Sequence, residues 1–213
     1  VYMPVPVVDY SKCTLCGKCS EFCMFNALAV VKDQVLIFPQ LCHGCGGCSI
    51  ICPEKAMSED RRRVGVIRRC RVGGIDLVYG LLDVGEPSAV PVIDAVKQSM
   101  PSDRVVIIDS PPGTSCPVIS SVYGSDYCIL VTEPTPFGLH DLRLAVGMLR
   151  KMNIPFGVVV NKSDLGGKGV YEFCRSEGIP ILMEIPYDRG IAELYSRGIP
   201  LVSARSEWLD KFR

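Results

Sequence analysis

Apolar and polar positions after residue 75 alternate between two patterns. Short runs made almost wholly of apolar residues, such as RVVIID at 104–109, predict buried β-strands. Between these runs, apolar residues recur at helical spacing, which predicts amphipathic helices. The elements predicted in this way are strands at 104–109, 127–132, 156–161 and 180–185, a short apolar run at 75–79, and helices at 87–100, 139–152, 169–177 and 190–197. Apolar strands that alternate with helices indicate an α/β fold, with a parallel sheet covered by helices on both faces.

The first 57 residues follow another pattern, which is set by cysteine. Eight of the twelve cysteines form two runs with the spacing C-x2-C-x2-C-x3-C, and the second run ends in Pro53. This spacing is typical of proteins that bind two [4Fe–4S] clusters, in which the fourth cysteine of each run ligates the other cluster. The predicted ligands are Cys13, Cys16, Cys19 and Cys52 for one cluster and Cys42, Cys45, Cys48 and Cys23 for the other.

Two other interpretations of the cysteines fit the sequence less well. A disulfide framework is typical of secreted chains, and no signal peptide is visible. Zinc sites usually combine two CxxC pairs rather than two runs of four. We therefore expect a ferredoxin-type 2[4Fe–4S] domain at 1–60, followed by an α/β domain at 61–213.

Composition narrows the class of protein further. The chain has 213 residues, and its 23 basic and 23 acidic side chains balance. This balance favours no nucleic-acid partner, and no apolar stretch is long enough to span a membrane. Clusters and free thiols favour a reducing compartment, so the expected location is the cytoplasm. The arginine-rich stretch at 59–71 is interpreted as a solvated linker that runs into a strand, or alternatively as a docking patch for an acidic redox partner.

Polar residues at the ends of predicted strands suggest a nucleotide site. Asp109 closes an apolar strand, where a carboxylate reaches a bound Mg²⁺ in the second nucleotide motif of P-loop NTPases. Gly113, in the stiff Pro-Pro-Gly turn that follows, is placed to donate its N–H to a γ-phosphate. Asp109 is thus the candidate catalytic residue, although a carboxylate here also suits a helix cap.

Two later strand ends complete this candidate site. Asn161 offers an amide that donates and accepts hydrogen bonds at the edge of a purine, and Pro186 lies in a loop placed to flank the base. Both segments also read as ordinary connections, because Asn, Ser, Asp and Gly all favour turns.

Taken in order, the motifs DSPPGT, VTEPT, NKSD and IPYD resemble the MinD/nitrogenase-iron-protein class of P-loop ATPases. The eight-cysteine segment is similar to that of the MinD-like ATPases with an inserted ferredoxin domain, and the stretch GLLDVGEP also resembles this subgroup. The resemblance covers residues 7–200. It implies that ATP and Mg²⁺ are cofactors beside the two clusters, and it assigns Asp109, Gly113 and Asn161 to the nucleotide side of the site.

The family's phosphate loop is not found in these 213 residues. Such a loop needs a glycine-rich turn that ends in Gly-Lys-Ser/Thr and opens a helix. Gly17-Lys18 is followed by Cys19 inside a cysteine run, and Gly167-Lys168 is followed by Gly169. The resemblance implies that the loop lies before the cysteine insert. We therefore expect this chain to lack ATP hydrolysis.

Three functions remain open. The first is an ATPase whose nucleotide state gates electron transfer through the clusters to a redox partner not identified by the sequence, with a homodimer as a possible assembly. The second is a plain ferredoxin-type electron carrier fused to a partner-binding domain. The third is an iron-sulfur cluster carrier or assembly factor. Relatives of that kind hold a labile cluster with a CxxC in the ATPase domain, and no CxxC follows Cys52 here.

Overall fold

The computed structural model describes residues 1–212, which form two compact units. The first unit contains Val1–Pro111 and Ser115–Ser121, and the second contains Pro112–Thr114 and the chain from Val122 onward. Residue 60, at which the sequence analysis divides the chain, lies inside a strand, and that division stays a prediction. None of the helices within residues 1–212 is long and apolar enough to cross a membrane.

The cysteine-rich part of the first unit is framed by two antiparallel strands. Strand β1 (Tyr2–Val8) pairs with β4 (Met57–Arg63), so that the ends of this part of the chain lie side by side. Between them come two short helices, a β-hairpin and a single 3₁₀ turn: α1 (Lys18–Phe22), β2 (Leu28–Val31), β3 (Gln34–Ile37), the 3₁₀ turn Pro39–Leu41 and α2 (Gly47–Ile51). A small core of Leu28, Val35 and Met57 packs against five of the run cysteines.

The arginine-rich stretch is not the solvated linker that the sequence suggested. Residues 59–63 belong to β4, and the stretch continues into β5 (Gly65–Val72). Pairing with β1 gives hydrogen-bonding partners to one edge of β4, in the register Val5 opposite Asp60. The charged side chains stay in water or form ion pairs, so their polarity does not oppose strand formation. The linker interpretation is therefore wrong.

The apolar run at 75–79 forms a strand, but not in the predicted parallel sheet. It lies in β6 (Ile75–Leu82), which pairs antiparallel with β5 through the tight turn at Gly73 and Gly74. Helix α3 (Val90–Lys97) follows and packs against this hairpin, and α4 (Cys116–Val122) comes after it. The Gly-Gly turn explains the antiparallel pairing, because a two-residue loop joins neighbouring strands of opposite direction.

The second unit contains the parallel sheet. Its three strands lie in chain order and all pair in parallel, as the apolar runs predicted. The elements are β7 (Cys128–Thr132), α5 (Pro136–Lys151), β8 (Phe156–Asn161), α6 (Gly169–Ser176), β9 (Ile181–Ile185), α7 (Arg189–Ser196), α8 (Leu201–Ala204) and α9 (Glu207–Lys211). Their carboxyl ends therefore meet at one edge, where ligands of such sheets bind.

Helices α5 and α6 pack on one face of this sheet, rather than on both faces. The core joins Leu142 and Val146 of α5, Val158 and Val160 of β8, and Val170 and Cys174 of α6. On the other face, Ile129 and Val131 of β7 are 59% and 67% exposed. The expectation of helices on both faces is thus not met within residues 1–212.

The predicted strand at 104–109 does not form. Residues 105–110 carry no secondary structure, and Val105 and Ile107 are each 91% exposed. A strand needs hydrogen-bonding partners, and none of the strands in residues 1–212 pairs with this segment. High β-propensity alone therefore does not place these residues in the sheet.

Candidate metal centre

The two cysteine runs adopt the same local backbone. Gly17 precedes α1 and Gly46 precedes α2, with left-handed φ angles of 80° and 71°. The fourth cysteine of each run, Cys23 or Cys52, directly follows its helix. The repeated spacing thus produces a repeated loop and helix, which present the first three cysteines of each run from similar positions.

The first cavity is lined by cysteines of both runs. Cys13, Cys16 and Cys19 come from the first run, and Cys52 comes from the second. Its walls are mainly apolar, with Leu15, Val30, Val35, Ala56 and Met57 among them. Such walls limit the access of water to whatever the four sulfurs bind.

The second cavity has the reciprocal composition. Cys42, Cys45 and Cys48 come from the second run, and Cys23 comes from the first. Its volume is about 500 Å³, and its walls include Pro4, Val5 and Pro6 of β1 together with Phe22, Phe25 and His43. The structure thus brings the eight predicted ligands together in the two groups that the sequence analysis named, while their role as ligands stays a prediction.

Backbone N–H groups point at three of the sulfurs. Ala27 N donates to Cys23 Sγ over 3.4 Å, and Ala56 N donates to Cys52 Sγ over 3.2 Å. Gly44 N donates to Cys42 Sγ over 3.4 Å. Hydrogen bonds of this kind stabilise thiolates and tune the potentials of iron-sulfur centres. Sequence reasoning missed these donors, although an Ala four residues after the last cysteine of both runs was a visible signal.

Burial acts against the charged form of two of the cysteines. It is the largest cause that raises the pKa of the Cys19 thiol, and the nearby Cys13 and Cys16 thiols raise that pKa further. Burial likewise raises the pKa of Cys48, with Cys42 adding to the shift. Several thiolates around one cavity therefore need a positively charged group between them. Four soft thiolate donors with N–H bonds to sulfur fit an iron-sulfur cluster.

A polar turn positions the start of the first run. Asp9 accepts hydrogen bonds from Ser11 and forms an ion pair of 2.8 Å with Lys12. The bond from Lys12, followed by those from Ser11, lowers the pKa of Asp9 to about 2. The backbone N–H of Cys13 donates to the Asp9 carbonyl oxygen over 3.0 Å. This turn fixes the direction in which the chain enters the first cavity.

Two of the four residues predicted for the nucleotide lie at the carboxyl edge of the parallel sheet. Asn161 ends β8, and Pro186 directly follows the neighbouring strand β9. Lys162 forms a 2.8 Å ion pair with Glu133, which joins the loops after β8 and β7. The backbone N–H of Tyr187 donates to Asp164 over 2.6 Å, which joins the loops after β9 and β8. The ion pair and the hydrogen bond thus connect the three loops at this edge of the sheet.

Neither Asp109 nor Gly113 lies at the end of a strand within residues 1–212. Asp109 is exposed and lies in the segment that does not form a strand, so the interpretation of a carboxylate closing a buried strand is wrong for this structure. Gly113 lies in an exposed turn with a φ of +92°. Glu133, in the loop after β7, forms the ion pair with Lys162.

Comparison with known proteins identifies the domain that carries the two cysteine runs. Residues 5–53 match the model of the 4Fe-4S dicluster domain. This chain is an iron-sulfur protein. An uncharacterized protein of Methanocaldococcus jannaschii is 32% identical over 197 residues, which cover 92% of this chain and 67% of that protein. The chain belongs to the same family as this archaeal protein.

Other relatives connect this iron-sulfur protein with named functions. A second uncharacterized M. jannaschii protein is 27% identical, over 93% of this chain and 69% of its own length. An iron-sulfur cluster carrier protein of Pyrococcus horikoshii is 36% identical over 112 residues, which cover 46% of this chain and 38% of that protein. Because the dicluster domain ends at residue 53, part of this homology to carrier proteins lies beyond the cysteine runs.

Proposed function

We propose that this iron-sulfur protein transfers electrons through two [4Fe–4S] clusters, and that the nucleotide state of a MinD-like ATPase part controls this transfer. The observation that carries the first half is the pair of cavities, each lined by three cysteines of one run and one of the other. The clusters supply one-electron chemistry when bound. The chain's own contribution is to hold them with thiolates, to donate N–H groups to sulfur and to limit the access of water.

The cysteine composition of the cavities supports the crossed assignment of ligands. Cys52 lines the cavity of the first run, and Cys23 lines that of the second. Each site therefore takes its cysteines from both runs. Binding of the metal clusters then contributes to the stability of a segment that has little apolar core of its own.

We expect the protein, purified without oxygen, to contain about eight irons and eight acid-labile sulfides, as two [4Fe–4S] clusters require. Iron, sulfide and zinc assays on the same sample measure this. Cys70→Ala is a suitable control, because Cys70 is exposed and lies outside both runs. Stoichiometric zinc, or only four irons with all eight run cysteines intact, would contradict the proposal.

The nucleotide half of the proposal rests on the resemblance to MinD-like ATPases and on the sheet edge. Asn161 and Pro186 follow neighbouring parallel strands, at the edge where nucleotides bind in α/β folds. We propose that they contact the base, that Gly113 donates to a phosphate and that Asp109 approaches Mg²⁺. Because Asp109 is exposed here, this proposal requires its segment to change conformation when nucleotide binds.

We expect the 213-residue chain to show no Mg-ATP hydrolysis, because it contains no Gly-Lys-Ser/Thr loop to hold the phosphates. In any longer form that carries such a loop, Asp109→Asn should lower hydrolysis roughly 100-fold, the scale for losing one electrostatic contact to the reacting group. Phosphate-release assays measure both. Asp126→Asn, which changes an exposed carboxylate elsewhere, serves as the matched control. Hydrolysis by the short chain that is insensitive to Asp109→Asn would overturn the assignment.

A cluster carrier is the second candidate function, and the homology to proteins named iron-sulfur cluster carriers favours it. In that case the cluster is cargo rather than a resident cofactor. The sequence has no CxxC after Cys52 to hold such a cargo, so we rank this candidate below electron transfer. Two assays distinguish the functions. A carrier should transfer iron and sulfide to an apo-acceptor protein, whereas an electron-transfer protein should undergo reversible one-electron reduction and keep its clusters.

The proposed partner is a redox protein, and exposed arginines at 61, 68 and 69 offer a docking surface for an acidic one. A homodimer is proposed as the assembly. All twelve cysteines are free, which suits a reducing compartment such as the cytoplasm.

A further inference from the structure

An aromatic pair joins the two cysteine runs at the rim of the second cavity. The rings of Phe25 and His43 lie face to face, with centroids 3.7 Å apart and an angle of 12° between their planes. Phe25 lies two residues after Cys23, and His43 directly follows Cys42. Both rings line the cavity and are also exposed to solvent, so they separate its interior from water.

The first cavity has no such pair at the equivalent positions. The two runs are offset by 29 residues, so Thr14 corresponds to His43, and Glu54 corresponds to Phe25. Thr14 and Glu54 do line the first cavity, which shows that the correspondence holds in space. Neither side chain is aromatic. The stack therefore distinguishes the second site from the first and is not a consequence of the repeat.

The backbone beside His43 is held in place from its other side. Gly44 has a φ of +64°, and a Cβ there would lie 2.8 Å from Met3 Cγ and 3.2 Å from the Pro4 carbonyl oxygen. The loop that carries His43 thus lies directly against β1. The N–H of Gly44 in this loop donates a hydrogen bond to Cys42 Sγ. Phe25 therefore stacks on the ring of His43, whose backbone is already restricted by β1. The stack in this way fixes the first run relative to this loop.

Resting on the proposed function, we propose that the Phe25–His43 stack is a positioning pair for the second [4Fe–4S] site. It holds Cys23, the one ligand from the other run, beside the Cys42–Cys48 group, and it screens this site from water. The reduced form of such a site carries one more negative charge than the oxidised form, and water stabilises the more highly charged form. Screening therefore makes the second site harder to reduce and slower to lose iron than it is without the stack.

The test compares variants with and without the stack. His43→Ala and Phe25→Ala remove it, whereas His43→Phe replaces the imidazole but keeps two stacked rings. Phe137→Ala is the control, because Phe137 is 84% exposed and lines neither cavity. Iron release to a chelator and the midpoint potential are measured without oxygen for each site. Hyperfine-shifted NMR signals of the ligating cysteines distinguish the two sites.

We expect the two alanine variants to release iron from the second site roughly two- to tenfold faster, the range that an aromatic pair accounts for. The midpoint potential of the second site should rise, while the first site stays unchanged. His43→Phe and Phe137→Ala should resemble the unchanged protein. The double variant Phe25→Ala/His43→Ala should be no worse than either single variant, because the two rings act as one unit.

Equal effects on both sites, or none on either, would overturn the inference. So would a His43→Phe variant as impaired as His43→Ala, since the imidazole and not the stack would then matter. Failure of the dicluster proposal is recognised separately, because the unchanged protein would then lack two sets of shifted cysteine signals.

Discussion

Cys23→Ala is expected to damage the cluster held by Cys42, Cys45 and Cys48, and not the cluster held by the run in which Cys23 lies. Cys23 lines the second cavity, and no residue of the first cavity's cysteine group is changed by the substitution. In the variant, the damaged cluster should be lost or converted to a three-iron form. The other cluster should stay intact and keep its four irons, about half of the eight in the unchanged protein. Iron assays combined with NMR of the ligating cysteines measure which site is changed.

The reciprocal variant makes this test decisive. Cys52→Ala should damage the cluster of Cys13, Cys16 and Cys19, since Cys52 lines that cavity. Cys70→Ala should change neither cluster. If each substitution disturbs the cluster of its own run, the crossed assignment is wrong, even if the total iron content is eight. Loss of both clusters from both variants would instead show that the two sites cannot form separately.

Gly166→Ala is expected to destabilise the second unit strongly, whereas Gly167→Ala should not. Gly166 has a φ of +142°, and a Cβ there would lie 2.0 Å from the Pro134 carbonyl oxygen and 2.9 Å from its carbon. Both atoms are backbone and cannot move aside cheaply. We expect a loss of about 2–4 kcal/mol in the free energy of unfolding, from backbone strain and overpacking together. Thermal and denaturant unfolding measure it.

The neighbouring glycine provides a matched control for this prediction. Gly167 has no atom within 4 Å of a Cβ position and no left-handed φ, and its N–H, which donates to the Pro134 carbonyl oxygen over 3.0 Å, is kept in alanine. Equal stability of both variants would show that the loops after β7 and β8 do not approach each other as described. Because Asn161 is the last residue of β8, directly before the second of these loops, Gly166→Ala should also displace the proposed base contact.

The parts of the fold that were predicted correctly are those whose partners lie close in the sequence. The apolar runs at 127–132, 156–161 and 180–185 became β7, β8 and β9, and the helix predicted at 169–177 became α6. Each connection between these strands is a helix of local sequence, so the parallel order follows from chain connectivity. Two residues of the proposed nucleotide site, Asn161 and Pro186, were placed at one edge for the same reason.

The incorrect predictions concern segments whose structure depends on pairing between strands. Residues 104–109 have the composition of a buried strand, but no strand within residues 1–212 pairs with them, and Asp109 is left exposed. Residues 59–63 have the composition of a linker, but β1 pairs with them along their full length. Residues 104–109 lack a pairing partner within residues 1–212, whereas β4 gains one in β1. The presence or absence of such a distant partner is not visible in a pattern of single residues.

The sequence by itself determined the chemistry of this protein, because a cysteine spacing repeated after 29 residues already defines which sulfurs can share a cluster. Only the tertiary structure decided how the two sites differ. Phe25 and His43 are eighteen positions apart in the sequence, and they meet only because the runs are folded against each other. The N–H donors to sulfur likewise depend on left-handed or turn backbone. Spacing predicts the ligands, whereas packing and backbone geometry set the environment of each site.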